Sequence, residues 1–198
     1  MEVEKNDISE ALIEQCRKGD KNAFDQLVKV HGTALYNFIL LMTKSKSLAD
    51  DVCQETWTCV YNHLDEYREQ GQFKCWLFKI ANNQCLNHLR FFKRMFVPLT
   101  EIMNIENEKG TVFHISISNP MPDEELERKE SLKLIIDLIK DLPVKQRQVF
   151  LLKMHSDLTF KQIALILSRP LNTVLTQMRT ALLTIRKKLK EIYGDMQI

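Results

Sequence analysis

Apolar residues recur at intervals of three and four through most of this chain, most clearly in FKCWLFKIANNQCLNHLRFFKR, residues 73 to 94. That spacing lines one face of an α-helix, whereas a strand would show a period of two. Turn residues are scarce as well, with 5 Gly and 5 Pro in 198 residues. A sandwich, barrel or doubly wound sheet needs many more. Long helices joined by short connections are the expected fold class, all-α. With 44% hydrophobic and 27% charged residues the chain can bury a core, as one domain or two small ones. Collagen, disorder throughout and a disulfide scaffold are excluded.

Punctuation divides the first part into four expected helices. Ile8 to Lys18 carries Ile8, Leu12, Ile13 and Cys16 on one face and ends at Gly19-Asp20. Asn22 to about Thr43 carries Phe24, Leu27, Val28, Leu35, Phe38, Ile39 and Met42. Ser47 is the expected cap of a third helix running to about His63, with Asp50 and Asp51 where the helix dipole favours acids. Leu64 to Gln72 is polar and reads as a loop, and Phe73 to about Arg94 is the fourth helix. Periodicity disappears from Met95 to Pro122, a stretch that holds Pro98, Gly110, Pro120 and Pro122. So long an irregular segment implies a linker between two domains, with Val112 to Ile117 able to form a short strand on a partner. The expected division is 1–94, a linker 95–122, and 123–198.

The second module opens on acidic DEELE, followed by a helix whose apolar face is Leu132, Ile135, Ile136 and Ile139. Val144 to about His155 follows, holding Val149, Phe150, Leu152 and Met154. Thr159 and Gln162 form a T-x-x-Q capping box for a short helix to Leu167. Ser168-Arg169-Pro170 is a turn, and Leu171 to about Tyr193 is a longer last helix with Pro170 in its first turn. This outline is that of a helix-turn-helix, although helical hairpins without DNA function share it.

Net charge is +2, yet residues 1–94 balance at zero, residues 95–141 carry −5 and residues 142–198 carry +7. A basic terminal module behind an acidic stretch suits a polyanion, and a solvated helix face would be charged too. The five cysteines, Cys16, Cys53, Cys59, Cys75 and Cys85, form no CxxC pair, so reduced thiols are expected. The acidic start MEVEKNDISE does not resemble a signal peptide, and no apolar run approaches a membrane span, which points to a cytoplasmic protein without membrane insertion. No Gly-rich phosphate loop, metal-ligand cluster or His with an evident catalytic partner is present. His31, His63, His88, His114 and His155 are dispersed, and neither enzyme chemistry nor a cofactor or metal is expected.

Four stretches in order, ALIEQCRKGDKNAFDQLVKVHGTALYNFI, LADDVCQETW, FKCWLFKIANNQCLNHLR and LPVKQRQVFLLKMHSDLTFKQIALIL followed by NTV, resemble the minimal bacterial sigma factors of the extracytoplasmic-function class. The resemblance covers most of residues 8 to 192. It implies an alternative sigma factor that binds core RNA polymerase and directs it to a subset of promoter DNA, usually restrained by an anti-sigma factor. The N-terminal domain would dock on polymerase and melt the downstream promoter element, and the C-terminal domain would read the upstream one. Asp50, Asp51, Gln54 and Glu55 match the acidic signature that faces the polymerase clamp helices, and their spacing shares a helix face suited to a basic partner. Dipole-favoured acids explain Asp50 and Asp51 as well, but Gln54 and Glu55 less so.

Lys79, Asn83 and Asn87 fall at i, i+4 and i+8 and match polar positions of the family's promoter-melting helix. They offer one charge for phosphate and two amides for exposed base edges. Arg90, Lys93 and Arg94 are further phosphate candidates or solvated charges, whereas Phe73 and Trp76 read as core aromatics. In the helix-turn-helix, Arg169, Asn172, Thr173, Thr176, Gln177, Arg179 and Thr180 are the candidate DNA contacts. Relatives commonly carry several basic residues after the start of this helix, but this chain reads NTVLTQMRTAL. Leu171, Val174, Leu175, Met178, Ala181, Leu182, Ile185 and Leu189 are expected on one apolar arc, opposite Thr173, Thr176, Gln177, Thr180, Thr184 and Lys187. A neutral face can read A/T base pairs through Gln amides and Thr methyls. Alternatively, the helix has partly lost DNA readout and Leu175 and Leu182 widen a surface for another protein.

Overall fold

The computed structural model describes residues 2–68, 72–95 and 132–194, and among them all regular structure is helical. The elements are α1 (Glu2–Arg17), α2 (Lys21–Thr43), α3 (Lys46–His63), a 3₁₀ turn (Leu64–Glu66), α4 (Phe73–Met95), α5 (132–140), α6 (Val144–Ser156), α7 (Phe160–Leu167) and α8 (Leu171–Tyr193). DEELE, most of the 95–122 linker and the suggested Val112 to Ile117 strand lie outside the described residues.

Local chemistry sets the boundaries. Gly19 takes φ +90, a left-handed conformation that favours glycine, and its N–H closes on Cys16 O at 2.9 Å. Asp20 then caps α2 through Asn22 N, and Lys44 ends that helix in the left-handed region. The cap of α3 is Ser45 rather than the expected Ser47: its side chain accepts from Leu48 N, and Ser47 already lies inside the helix. The Thr159–Gln162 capping box forms as expected. Pro170 stands at the N-cap of α8, just before the first turn, where its missing N–H still costs nothing.

The polar loop after α3 is anchored more firmly than its composition suggests. Tyr67 is buried, its hydroxyl donates to Glu10 at 3.0 Å and accepts from Gln72 N at 3.1 Å, and Arg17 donates to the carbonyls of Leu64 and Tyr67. One aromatic therefore ties α1, the loop and the start of α4 together. Phe73 is buried against Tyr67 and His31, and half-buried Trp76 tilts over Tyr67, so both behave as core aromatics.

The two modules share one core. Leu27, Leu35, Phe38, Ile39, Leu77 and Phe78 of the first half and Val149, Leu151, Leu152 and Ile163 of the second belong to a single buried cluster. α6 lies between them, which explains two departures from expectation. Arg147 through Leu152 are buried consecutively, including polar Arg147 and Gln148, while Met154 is 59% exposed. On α5, Leu138 is buried and Ile135 faces solvent.

Phe38 and Phe78, both fully buried, meet edge to face at 5.4 Å between centroids. Phe38→Ala is expected to destabilise the fold by about 3–5 kcal/mol, measured by denaturant unfolding. Burial pushes the Cys85 thiol from its ordinary value near 9 up to about 12. The folded state thus favours the neutral thiol, and that contribution is complete below pH 9 and lost as pH rises toward 12. Cys85 is expected to resist alkylation in the native protein, with reaction appearing only on unfolding, as read by mass spectrometry of the labelled peptides.

Candidate nucleic-acid interface

α3 and α4 pack side by side and present adjoining polar faces. Buried Ala49, Val52, Thr56 and Val60 hold α3 to the core, which leaves Asp50, Asp51, Gln54 and Glu55 exposed on its outer side. Asp50 accepts from the Tyr36 hydroxyl at 2.7 Å; burial and this carboxylate push the Tyr36 phenol up to about 12. Glu55 reaches across to His88 of α4, with Oε2 2.8 Å from Nε2. This bond fixes the acidic face of one helix relative to the polar stripe of the next.

On α4 the stripe is complete. Lys79, Asn83, Asn87 and Arg90 are all exposed, while Leu77, Phe78, Ala81 and Cys85 point inward. The side chains of Lys93 and Arg94 lie outside the described residues. Sequence spacing did not single out Asn82, next to Asn83, which is 2% exposed and bonds to Gln148 at 2.8 Å. Its only signal was a second consecutive Asn.

The helix-turn-helix is formed by α7, the turn at Ser168 and α8. Ser168 closes α7 in the left-handed region, and Val174 and Ala181 are fully buried on the inner face of α8. Asn172, Thr173, Thr176, Arg179 and Thr180 are exposed on α8, while Arg169 and Gln177 are half-buried and bonded to each other at 3.0 Å. Burial pulls the Arg169 guanidinium below its ordinary value. The threonine hydroxyls donate back along the helix, from Thr176 to Asn172 O, Thr180 to Thr176 O and Thr184 to Thr180 O, at 2.8, 2.8 and 3.0 Å. These three hydroxyl hydrogens are thus committed, and these threonines present methyls and lone pairs outward.

The expected apolar arc splits in two. Leu175, Leu182 and Leu183 are 41%, 48% and 56% exposed and, with Phe160, Met178, Arg179 and Arg186, line an open groove of about 340 Å³. They stay out of the core because α6 and α7 already cover the Val174–Ala181 line. Among the described residues no group of His, Cys, Asp and Glu could hold a metal ion, and no helix is long and apolar enough to cross a membrane.

Comparison with known proteins matches these two helical groups to two family models, Sigma-70 region 2 over residues 27–94 and Sigma-70 region 4 over residues 132–185. The ECF RNA polymerase sigma-E factor of Salmonella typhimurium is 30% identical over 187 residues, spanning 92% of this chain and 95% of the relative. The chain belongs to the ECF RNA polymerase sigma factors. ECF sigma factor SigW of Bacillus subtilis is 28% identical over 91% of this chain and 96% of its own length. The fold also matches the solved structure of CnrH in complex with the cytosolic domain of CnrY, with a TM-score of 0.65 at 21% identity over 93% of this chain and 98% of that one. The sigma factor RpoE of Bartonella quintana in complex with the anti-sigma factor NepR matches with a TM-score of 0.64 at 19% identity, over 84% of this chain and 96% of that one.

As an alternative sigma factor the protein directs promoter-specific transcription initiation. Its region 2 comprises α2, α3 and α4, and its region 4 contains the helix-turn-helix. Thr159 Oγ1 receives the Gln162 N–H at the start of α7. Thr159→Ala is expected to cost about 1 kcal/mol of thermal stability without altering the far-UV spectrum of the folded sigma factor.

Proposed function

We propose that residues 1–94 dock on core polymerase through Asp50, Asp51, Gln54 and Glu55 and capture the melted downstream element through Lys79, Asn83, Asn87 and Arg90. Residues 123–198 then read the upstream element through Arg169, Asn172, Thr173, Thr176, Gln177, Arg179 and Thr180, with 95–122 as tether. The protein works in the cytoplasm, contributes no catalysis of its own and is restrained by an anti-sigma factor, as RpoE is bound by NepR in the matching structure. The observation that carries this reading is the Glu55–His88 bond. It sets four exposed acid and amide groups on α3 beside four exposed polar groups on α4, so that a docked polymerase holds the stripe ready for an unstacked strand. Amide and cationic groups at regular intervals suit such a strand, whose base edges are free to bond.

Asn83→Ala or Asn87→Ala is expected to impair open-complex formation, read by permanganate footprinting, more than polymerase binding, read by pull-down. Equal losses would mean that the stripe is structural. Asp51→Lys should act the other way and weaken polymerase binding first.

The upstream face favours A/T-containing sequence, because the threonine methyls and the Gln177 amide are its reading groups. Arg169 at the turn and Arg179 and Arg186 beside the threonine arc are the cations this reading assigns to phosphate, Lys187 at the far end of the arc lying 3.9 Å from Glu191. Log affinity for the upstream duplex is thus expected to fall against log salt with a slope no steeper than about −3. A steeper slope, lost on mutating the three arginines, would contradict a neutral face.

A second reading is favoured by the exposed Leu175, Leu182 and Leu183 groove: a helix-turn-helix with weakened DNA readout that acts through protein partners. Run-off transcription with core enzyme separates the two. Thr176→Ala/Gln177→Ala changes promoter selectivity only if the face reads DNA.

A further inference from the structure

A leucine stands among the polar groups that face outward at the start of α8. Val174 and Ala181 are fully buried and mark the inner side of that helix. At about 100° per residue, Asn172, Thr176 and Arg179 project directly away from them, and all three are exposed. Leu175 flanks this line on one side, 41% exposed, and exposed Thr180 flanks it on the other. Gln177 lies nearer the buried line, half-buried and bonded to Arg169 at 3.0 Å. Leu175 is thus better placed than Gln177 to meet whatever the outer face meets.

We propose that Leu175 is a base-reading residue for the upstream element, which it selects by packing on the C5-methyl group of a thymine. This deepens the DNA contacts assigned to α8 above and rests on them.

The neighbours of Leu175 decide what can cover it. Asn172 and Arg179 lie within one turn of it and Thr176 is adjacent, so the covering surface must also satisfy an amide and a guanidinium. The Thr176 hydroxyl already donates to Asn172 O at 2.8 Å, which leaves its methyl as a second apolar contact. The major-groove edge of an A·T pair offers the matching set: a methyl on thymine, and on adenine the N6 donor and N7 acceptor that an amide bonds bidentately. Phosphates beside the groove suit Arg179 and Arg186, which line the cleft into which Leu175 opens, and no acid among the described residues lines it. An apolar protein surface would cover Leu175 but leave Asn172 and Arg179 without partners.

Position along the helix points the same way. A recognition helix presents its N-terminal turns to base edges. Leu175 is in the second turn of α8, whereas Leu182 and Leu183 lie roughly 10 Å further along the axis. Discrimination follows from what leucine lacks as well as from what it touches. Set against cytosine, it would gain no methyl contact and would cover the N4 donor without supplying an acceptor.

The test uses the holoenzyme and a promoter duplex whose upstream element has been located by run-off transcription. Each thymine of the element is replaced in turn by deoxyuridine, which deletes only the C5-methyl. At one position this is expected to weaken binding about fourfold, the value of one buried methyl. The factor should stay constant as salt is raised, because no counterion is involved. Leu175→Ala is expected to weaken binding to the unaltered duplex to a similar extent and to abolish the deoxyuridine effect at that position alone. Leu175→Arg should shift the preference there toward G·C, since a guanidinium bonds guanine O6 and N7. Far-UV spectra of both variants check that the exposed site tolerates the exchange. If no deoxyuridine substitution weakens binding, or if the effect persists in full in Leu175→Ala, the proposal is overturned. Loss of transcription by Leu175→Ala with every deoxyuridine effect at its wild-type size would make the leucine a protein contact, and overturns it as well. Asn172→Ala and Thr176→Ala on the same duplexes report on the α8 face itself. Base selectivity unchanged in both removes the upstream-element assignment, whereas altered selectivity there with a silent Leu175→Ala overturns only the role of the leucine.

Discussion

Everything distal to the linker depends on how α6 is buried. A helix in an ordinary two-layer packing shows one apolar stripe, but here Arg147 through Leu152 are buried without interruption. α2 lies on one side, and α7 and α8 on the other. The same burial explains why the last turns of α2, from Phe38 to Thr43, are covered all round. Once α6 occupies that place, the helix-turn-helix has its inner face committed at Val174 and Ala181, and α7 is carried against α4. The apolar part of the seam gives cohesion, and the polar residues within it give direction.

That arrangement marks where the sequence could be read and where it could not. Periodicity and punctuation located α2, α4, α7 and α8 closely, because each has one apolar face and a recognisable cap. The stripe of Lys79, Asn83 and Asn87 was legible for the same reason: a helix projects every fourth residue in one direction, and the intervening Phe78, Ala81 and Cys85 are unmistakably core. α6 was located, but its environment was not, since a helix packed on both sides loses the amphipathic pattern that tells inside from outside. Asn82 and Gln148 were missed because a polar residue at a core position looks like surface until its partner, 66 residues away, is known. Tyr67 was hidden in a polar loop, where composition outweighed the single ring that anchors it. In α8 the error ran the other way. Leu175 and Leu182 fit an apolar arc in projection, but that arc is wider than the surface available to cover it, and the excess leucines are left in solvent.

The charge asymmetry also takes on a structural meaning. Of the ten basic residues in 142–198, Arg147 is sequestered in the seam and Lys188 is paired with Asp141 at 2.9 Å. Lys187 lies within 3.9 Å of Glu191, a loose and highly exposed contact. On α8 the exposed Arg179, Arg186 and Lys190 lie off the threonine arc and Lys187 sits at its far end, so the first turns of that arc carry threonines, and Thr176, Thr180 and Thr184 bond their hydroxyl hydrogens to the helix backbone.

A weakly charged reading face changes what the linker must accomplish. Phosphate contacts supply most of the affinity of an isolated DNA-binding module, and base contacts mainly discriminate. With few cations on that arc, it would hold a duplex weakly by itself, and its methyl and amide groups would express their preference only if held close to DNA. Tethering to a polymerase-bound region 2 would provide that condition, because a linker makes the second binding event intramolecular and raises the local concentration of the second module. Selectivity can then be exercised without high intrinsic affinity, and a free sigma factor is kept from occupying promoters by itself. The neutral face and the tether would thus act in the same direction: each would make promoter recognition conditional on the polymerase being present.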